Sequence, residues 1–164
     1  MNIFIKIDLK NNIYNIYSIM PKKDKGNELL KPIIKWSGGK SDEIDNIIPH
    51  IPKDYDTYIE PFIGGGAVYF HVNPKKAVIN DVHKELIDFY QNIKDGKCDE
   101  IYKFMSEQEN NEANYYKIRD KMEIKDTLDN AKRFYYLRKT CFRGMLRYNK
   151  NGKFNIPFGR YKNY

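Results

Sequence analysis

The sequence predicts an α/β fold around a short parallel sheet, extended by a helical stretch and a hairpin. Three observations predict it. A β-type run, Thr57, Tyr58 and Ile59, leads through Glu60-Pro-Phe-Ile-Gly-Gly-Gly66 into a helix-compatible run at Ala67 to His71. A second apolar run, Ala77 to Ile79, ends at Asn80-Asp81 and is followed by another helical pattern. After Gly96 the alternation of strand and helix gives way to charge-rich helical periodicity alone. Strand, helix, strand, helix implies parallel strands, because the intervening helix must carry the chain back across a sheet face.

Taken in order, residues 1–30 form an extension in which Ile3, Ile5, Asp8 and the Ile-Tyr-Asn-Ile-Tyr run at 13–17 suggest a small hairpin. Pro21-Lys-Lys-Asp-Lys-Gly26 reads as a polar linker. Ser41 is placed to cap a helix reaching about Ile48, where Pro49 should stop it. The core, residues 31–96, then has a strand near Tyr55 to Ile59, a helix from Gly66, a strand at Ala77 to Asn80 and a helix from about His83 to Asp95. The last segment, 97–164, has helices expected at Glu100 to Glu107, Glu112 to Met122 and Thr127 to Thr140. An Asn-Lys-Asn-Gly turn at 149–152 between aromatic runs predicts a β-hairpin with Tyr148 and Phe154 on its arms.

Composition narrows the function. The chain has 164 residues, 41% hydrophobic and 15% aromatic, enough for one ordinary core. No apolar stretch approaches the roughly 18 to 20 residues that cross a bilayer, and Lys6, Asp8 and Lys10 interrupt any secretory leader pattern. A cytoplasmic location is expected. Cys98 and Cys141 lack metal-ligand spacing and are expected to be free thiols. His50, His71 and His83 share no metal spacing, so no metal is implied. The net charge of +7 is concentrated at one end: residues 131–164 hold ten Lys and Arg and no acid, with nine aromatics interleaved. Basic residues neutralise phosphates and aromatic faces stack on bases, so the tail suits nucleic acid; a solvated basic face over an aromatic core is the alternative.

The glycine cluster at 64–66 lies where a strand turns into a helix, and glycine lets backbone approach a ligand there. Asp81, 21 residues after Glu60, stands where an acid commonly binds ribose hydroxyls; it could equally cap the following helix. The dinucleotide pattern GxGxxG fails at Tyr69, and the P-loop pattern ending at Gly39-Lys40-Ser41 fails at Ile34. Nicotinamide, flavin and ATPase chemistry are therefore disfavoured.

Lys35-Trp-Ser-Gly-Gly-Lys40, Glu60-Pro-Phe-Ile-Gly-Gly-Gly66, Asp81, and the stretches Arg143-Gly-Met-Leu-Arg-Tyr-Asn149 and Gly152 to Tyr161 resemble, in order, motifs of the Dam-type adenine-specific DNA methyltransferases. The resemblance covers about Pro32 to the last residue. It implies a partial Rossmann-like methyltransferase fold with a helical and hairpin DNA-recognition insertion, S-adenosylmethionine as cofactor and double-stranded DNA as substrate. Carried over, it assigns cofactor binding to Trp36, Lys40, Glu60, Phe62, Gly64, Gly66 and Asp81. Trp36, the only tryptophan, has core packing as its alternative role. It assigns DNA contact to Lys35, Phe142, Arg143, Arg147 and Tyr148, with Phe142 as an intercalating aromatic and Arg147 as a base reader. Arg143 departs from the family's usual asparagine, so the target site is not transferable.

The family's catalytic Asp-Pro-Pro-Tyr motif is absent; none of the seven prolines adjoins another. The catalytic residue is therefore unassigned. A fragment, one half of a split enzyme completed by a second polypeptide, and a non-catalytic DNA-binding protein with a vestigial fold all accommodate this sequence.

Overall fold

The computed structural model describes residues 5–7 and 30–163. Three short strands, β1 (Ile5–Ile7), β2 (Tyr58–Glu60) and β3 (Ala77–Ile79), form one sheet in the order β1-β3-β2. Strands β2 and β3 run parallel, with Tyr58, Ile59 and Glu60 opposite Ala77, Val78 and Ile79. The parallel pair matches the sequence expectation. The expected first strand begins later than Tyr55, because Tyr55 and Asp56 are exposed and the ladder starts at Tyr58.

Strand β1 runs antiparallel to β3, Ile5 opposite Ile79 and Ile7 opposite Ala77. It supplies backbone partners to the second edge of β3. The rest of the hairpin expected between residues 3 and 17, and the linker at 21–26, lie outside the described residues.

Helix α1 (Ile44–Ile47) is flanked by single 3₁₀ turns, Ser41–Glu43 and Ile48–His50. Ser41 is therefore not the helix cap expected of it. It is already inside the first 3₁₀ turn, and the preceding Lys40 makes no capping side-chain bond. Pro49 sits in the first turn of the last 3₁₀ segment, where its missing N–H costs nothing, and Ile51 is extended.

Helix α2 (Ala67–Val72) connects β2 to β3, and α3 (Lys84–Lys94) follows β3. Three further α-helices follow among the described residues: α4 (Cys98–Ser106), α5 (Glu112–Lys121) and α6 (Thr127–Thr140). Their boundaries follow local chemistry. Asn111 Oδ1 accepts from the Asn114 N–H at 2.8 Å and caps α5, while Asp126 Oδ1 accepts from the Asp129 N–H at 2.8 Å and caps α6. Asp126→Ala is expected to destabilise the chain by about 1 kcal/mol, seen as a lower urea midpoint at unchanged slope.

Helix α6 packs against α3 and α4. Phe89 of α3 stacks on Tyr135 of α6 with ring centroids 5.4 Å apart and planes within 8°. Leu86, Tyr90 and Ile93 from α3 join Phe134, Tyr136 and Leu137 from α6 in one buried cluster, which also takes in Ile79 of β3 and Ile156 near the C-terminus. The sheet region and the helices after Gly96 thus share a single core.

The predicted turn at 149–152 forms. Gly152 N–H donates to Asn149 O at 2.9 Å with Gly152 at φ 70°, and Asn149 Oδ1 accepts from the N–H of Asn151 and Lys153. The hairpin is minimal, with one antiparallel bridge between Tyr148 and Phe154 and a second, farther out, between Cys141 and Phe158.

Both cysteines are buried thiols, and burial pushes Cys98 and Cys141 up to about 11. At pH 8 the folded chain should therefore react very slowly with a thiol reagent, and urea should release two fast equivalents.

Candidate functional site

The carboxyl ends of β2 and β3 meet a loop, Pro61 to Gly66, that is latched from three sides. Ile63 N–H donates to Asn80 O at 2.9 Å, Asn80 N–H to Glu60 O at 3.0 Å, and Gly66 N–H to Ile63 O at 2.8 Å. Asp81 completes the latch. Its Oδ2 accepts from Gly64 N–H at 2.9 Å and its Oδ1 from His83 N–H at 3.0 Å. Asp81 is thus not the N-cap of α3; that position is His83. A carboxylate offers about four lone-pair directions and two are used here, so Asp81 keeps acceptor capacity for a ligand hydroxyl.

The glycines answer a packing demand as well as a conformational one. Gly64 has φ 50°, and a Cβ there would lie 2.8 Å from Trp36 Cδ1; at Gly66, φ 76°, it would lie 2.8 Å from the Phe70 ring. Trp36 therefore lies directly on the glycine loop, and its ring edge meets His83 at 5.6 Å between centroids, 87° between planes. Tyr90 Oη donates to Gly64 O at 3.3 Å from beneath. Gly64→Ala is expected to cost about 2 to 4 kcal/mol, the sum of a left-handed backbone penalty and overpacking. A urea melt of the variant measures it.

Of the other residues assigned to the cofactor, Glu60 is half-buried, and its Oε2 accepts from Tyr58 Oη at 2.7 Å. Burial raises its carboxyl above the ordinary carboxylate range, partly offset by that hydrogen bond. Phe62 is 83% exposed at the end of β2, and Val82, 93% exposed, occupies the corresponding end of β3. Sequence reasoning missed Val82; the signal was an apolar residue directly after a strand-end acid. Lys40 is not drawn to this loop: its Nζ pairs with Glu43 Oε1 at 3.2 Å on the surface.

The residues assigned to DNA divide into two groups. Lys35, Phe142 and Arg143 come together at the C-terminal end of α6, where Phe142–Gly144 forms a 3₁₀ turn. A Cβ on Gly144 would lie 3.5 Å from Lys35 Cβ, and the Arg143 guanidinium sits 5.3 Å from the Phe142 ring. Phe142 is 44% exposed, and Arg143 holds the left-handed conformation at φ 55°, costly for a residue with a Cβ. Arg147 and Tyr148 lie on the hairpin arm. Arg147 Nε donates to Asn155 Oδ1 at 2.9 Å across the hairpin. Tyr148 is half-buried: its ring lies 5.4 Å from His83 and edge-on to Phe154, and its hydroxyl donates to Glu85 Oε1 at 3.3 Å. It ties the hairpin to α3.

A family model described as D12 class N6 adenine-specific DNA methyltransferase matches residues 36–164. The chain belongs to this family. Among its relatives, the Type II methyltransferase M.CviBI of Paramecium bursaria Chlorella virus NC1A is 55% identical over 137 residues, covering 82% of this chain and 52% of that protein. The Type II methyltransferase M.MjaIII of Methanocaldococcus jannaschii is 38% identical over 155 residues, covering 82% of this chain and 54% of the relative. The DNA adenine methylase of Serratia marcescens is 33% identical over 136 residues, with 80% and 50% covered. The chain spans about half the length of these relatives. The family match begins at Trp36 and so contains the latched loop, the α6 turn and the hairpin. Among the described residues no cluster of three metal-ligating side chains occurs, and no helix is long and apolar enough to cross a membrane.

Proposed function

We propose that this chain is the cofactor-binding and DNA-recognition part of a cytoplasmic, site-specific adenine DNA methyltransferase, with β2 and β3 belonging to a Rossmann-like methyltransferase sheet. The reaction is methyl transfer from S-adenosylmethionine to the exocyclic amino group of adenine in double-stranded DNA. The observation that carries the reading is the Asp81 carboxylate bonded to Gly64 N–H beneath Trp36, which joins three of the family's separate motifs in one structure.

The residues present fit the cofactor. A nucleoside with an amino-acid tail needs an apolar surface for its base, acceptors for ribose hydroxyls and an acceptor for its ammonium. Exposed Phe62 and Val82 supply the first, Asp81's remaining lone pairs the second and the Glu60 carboxylate the third. Trp36 and the glycine loop wall the site, and Lys40 is free to leave its exposed ion pair, of a kind worth little in water. When bound, the cofactor supplies an electrophilic methyl group on a sulfonium. What this chain's own residues do is hold the donor side.

Lys35, Phe142 and Arg143, with Arg147 on the hairpin, form the DNA-facing side. Arginine at a base edge can donate two hydrogen bonds, whereas lysine near phosphate adds sequence-independent attraction. Arg147→Ala is therefore expected to weaken discrimination between DNA sites more than Lys162→Ala, in competition binding against scrambled duplex. The target adenine would leave the stack to meet the cofactor.

The group that holds the adenine amine comes from outside this sequence, which has no Asp-Pro-Pro-Tyr. Among the described residues β2 pairs only with β3, and Ile59 on it is 61% exposed. An open parallel edge with an exposed isoleucine supports a further strand there, from a second polypeptide or a continuation of this one. Calorimetry tests the cofactor half of the reading: S-adenosylmethionine should bind the folded chain, and Asp81→Asn should weaken it at least about tenfold, because an amide NH₂ would oppose the Gly64 or His83 N–H. Absence of binding to folded wild-type chain would sink the reading.

A further inference from the structure

The two arms of the C-terminal hairpin differ in how firmly they are mounted. On the second arm Phe154 and Ile156 are both buried, and Asn155 between them is turned by the alternation of extended backbone to the outer face. Helix α5 clamps this arm: Ile156 O accepts from Tyr115 Oη at 2.8 Å and from Arg119 Nη1 at 3.1 Å. On the first arm Tyr148, bridged to Phe154, also packs inward, which leaves Arg147 on the outer face beside Asn155. Asn155 N–H donates to Arg147 O at 3.1 Å and ties the two arms at this level.

Asn155 occupies one edge of the Arg147 guanidinium. Its Oδ1 accepts from Nε at 2.9 Å, and its backbone oxygen lies 3.5 Å from Nη2. Arg147 is exposed, and among the described residues Nη1 has no hydrogen-bond partner and the guanidinium no ion pair. The outer edge, made of Nη1 and the second Nη2 hydrogen, is the kind of two-donor edge that meets guanine O6 and N7. As a stabilising contact an exposed bond of this kind is worth little, because both groups are well hydrated when apart. The choice of an amide partner fits another role. Residues 131–164 contain no acid, and a carboxylate here would hold Arg147 harder while cancelling its charge toward phosphates.

We propose that Asn155 is a specificity-determining positioning residue, which holds the Nε edge of Arg147 so that the outer guanidinium edge is presented to a base in the major groove. The proposal rests on the reading of Arg147 as a base reader. An arginine on a free arm loses rotamer freedom when it docks, and it can turn instead to a phosphate of any sequence. Holding the side chain beforehand on an arm anchored by α5 lowers that cost for the base contact alone. Asn155 thus acts on sequence preference through Arg147, without itself touching DNA.

The test enriches a randomised duplex library on the wild-type chain and then measures affinity for the enriched duplex and for its scrambled form. The ratio of the two is compared among wild type, Arg147→Ala, Asn155→Ala, Asn155→Asp and the double variant Arg147→Ala/Asn155→Ala. Arg147→Ala should lower the ratio by about 10- to 100-fold, and Asn155→Ala by about 3- to 10-fold. In the Arg147→Ala background Asn155→Ala should lower it no further. Asn155→Asp keeps the acceptor for Nε, so it should retain the ratio while weakening both duplexes alike through its added negative charge. Asn155→Thr, whose hydroxyl is too short to reach Nε, replaces the alanine variant should that fail to fold. A role confined to hairpin stability, or a phosphate contact at Asn155, would weaken both duplexes together at an unchanged ratio, and either overturns the proposal. So does a further loss of ratio in the Arg147→Ala background. Loss at Arg147 with none at Asn155 overturns this proposal alone, whereas a ratio indifferent to Arg147, or a wild type that enriches no sequence, ends the base-reading assignment and the proposal with it.

Discussion

Incubated with duplex DNA and tritiated S-adenosylmethionine, the purified 164-residue chain is expected to transfer no detectable label. Methyl transfer requires the attacking amine in line with the sulfonium carbon, and positioning of reactants is worth roughly 7 to 11 kcal/mol of a barrier. On the proposed reading, Trp36, Glu60, Gly64 and Asp81 hold the donor, and the sequence has no Asp-Pro-Pro-Tyr for the acceptor. Adding a polypeptide that bears this motif should restore transfer, with the edge of β2 that is open among the described residues, and exposed Ile59, as its docking place. Label incorporation by the isolated chain, abolished by Asp81→Ala, would mean that the catalytic group lies within these residues.

The second large effect concerns salt. DNA affinity should fall steeply as ionic strength rises, with a slope of log K against log salt of about 0.9 per neutralised phosphate. The basic tail supplies the charge, but it cannot simply be deleted to prove this. Removing residues 131–164 would take Phe134, Tyr135, Tyr136 and Leu137 out of the shared core and unfold the chain. Neutralising exposed Arg143, Lys150 and Lys153 to Gln leaves that core in place. The triple variant should bind DNA weakly and with a slope smaller by about 2 to 3. An unchanged slope would remove the tail from the interface.

Parts of this architecture were legible in the sequence because their causes are local. Helix α6 runs from Thr127 to Thr140 as expected, since Asp126 caps it and buried Ala131, Phe134 and Leu137 recur at helical spacing. The parallel pairing of β2 and β3 followed from apolar runs separated by a helix. What was not legible depends on contacts distant in sequence. Strand β1 pairs with residues about seventy positions away, and no local pattern announces that. Arg138 reads as one more charge on a helix until Trp36 and Lys35 close over it. Tyr148, assigned to DNA contact by the family resemblance, has its hydroxyl on Glu85 of α3 and its ring on His83, the residue that precedes α3. Asp81 looked like a choice between cap and ligand, and its bond to Gly64, 17 residues back, adds a third role that spacing alone does not reveal.

The central claim is that the latched loop at the ends of β2 and β3 receives the cofactor. The most direct test is a nuclear magnetic resonance titration of the labelled chain with S-adenosylhomocysteine, followed residue by residue. The account predicts that the Trp36 indole and the amides of Phe62, Gly64, Asp81 and Val82 shift together and saturate with one affinity. Saturable shifts confined to other parts of the chain, or no shifts in folded protein, would contradict it.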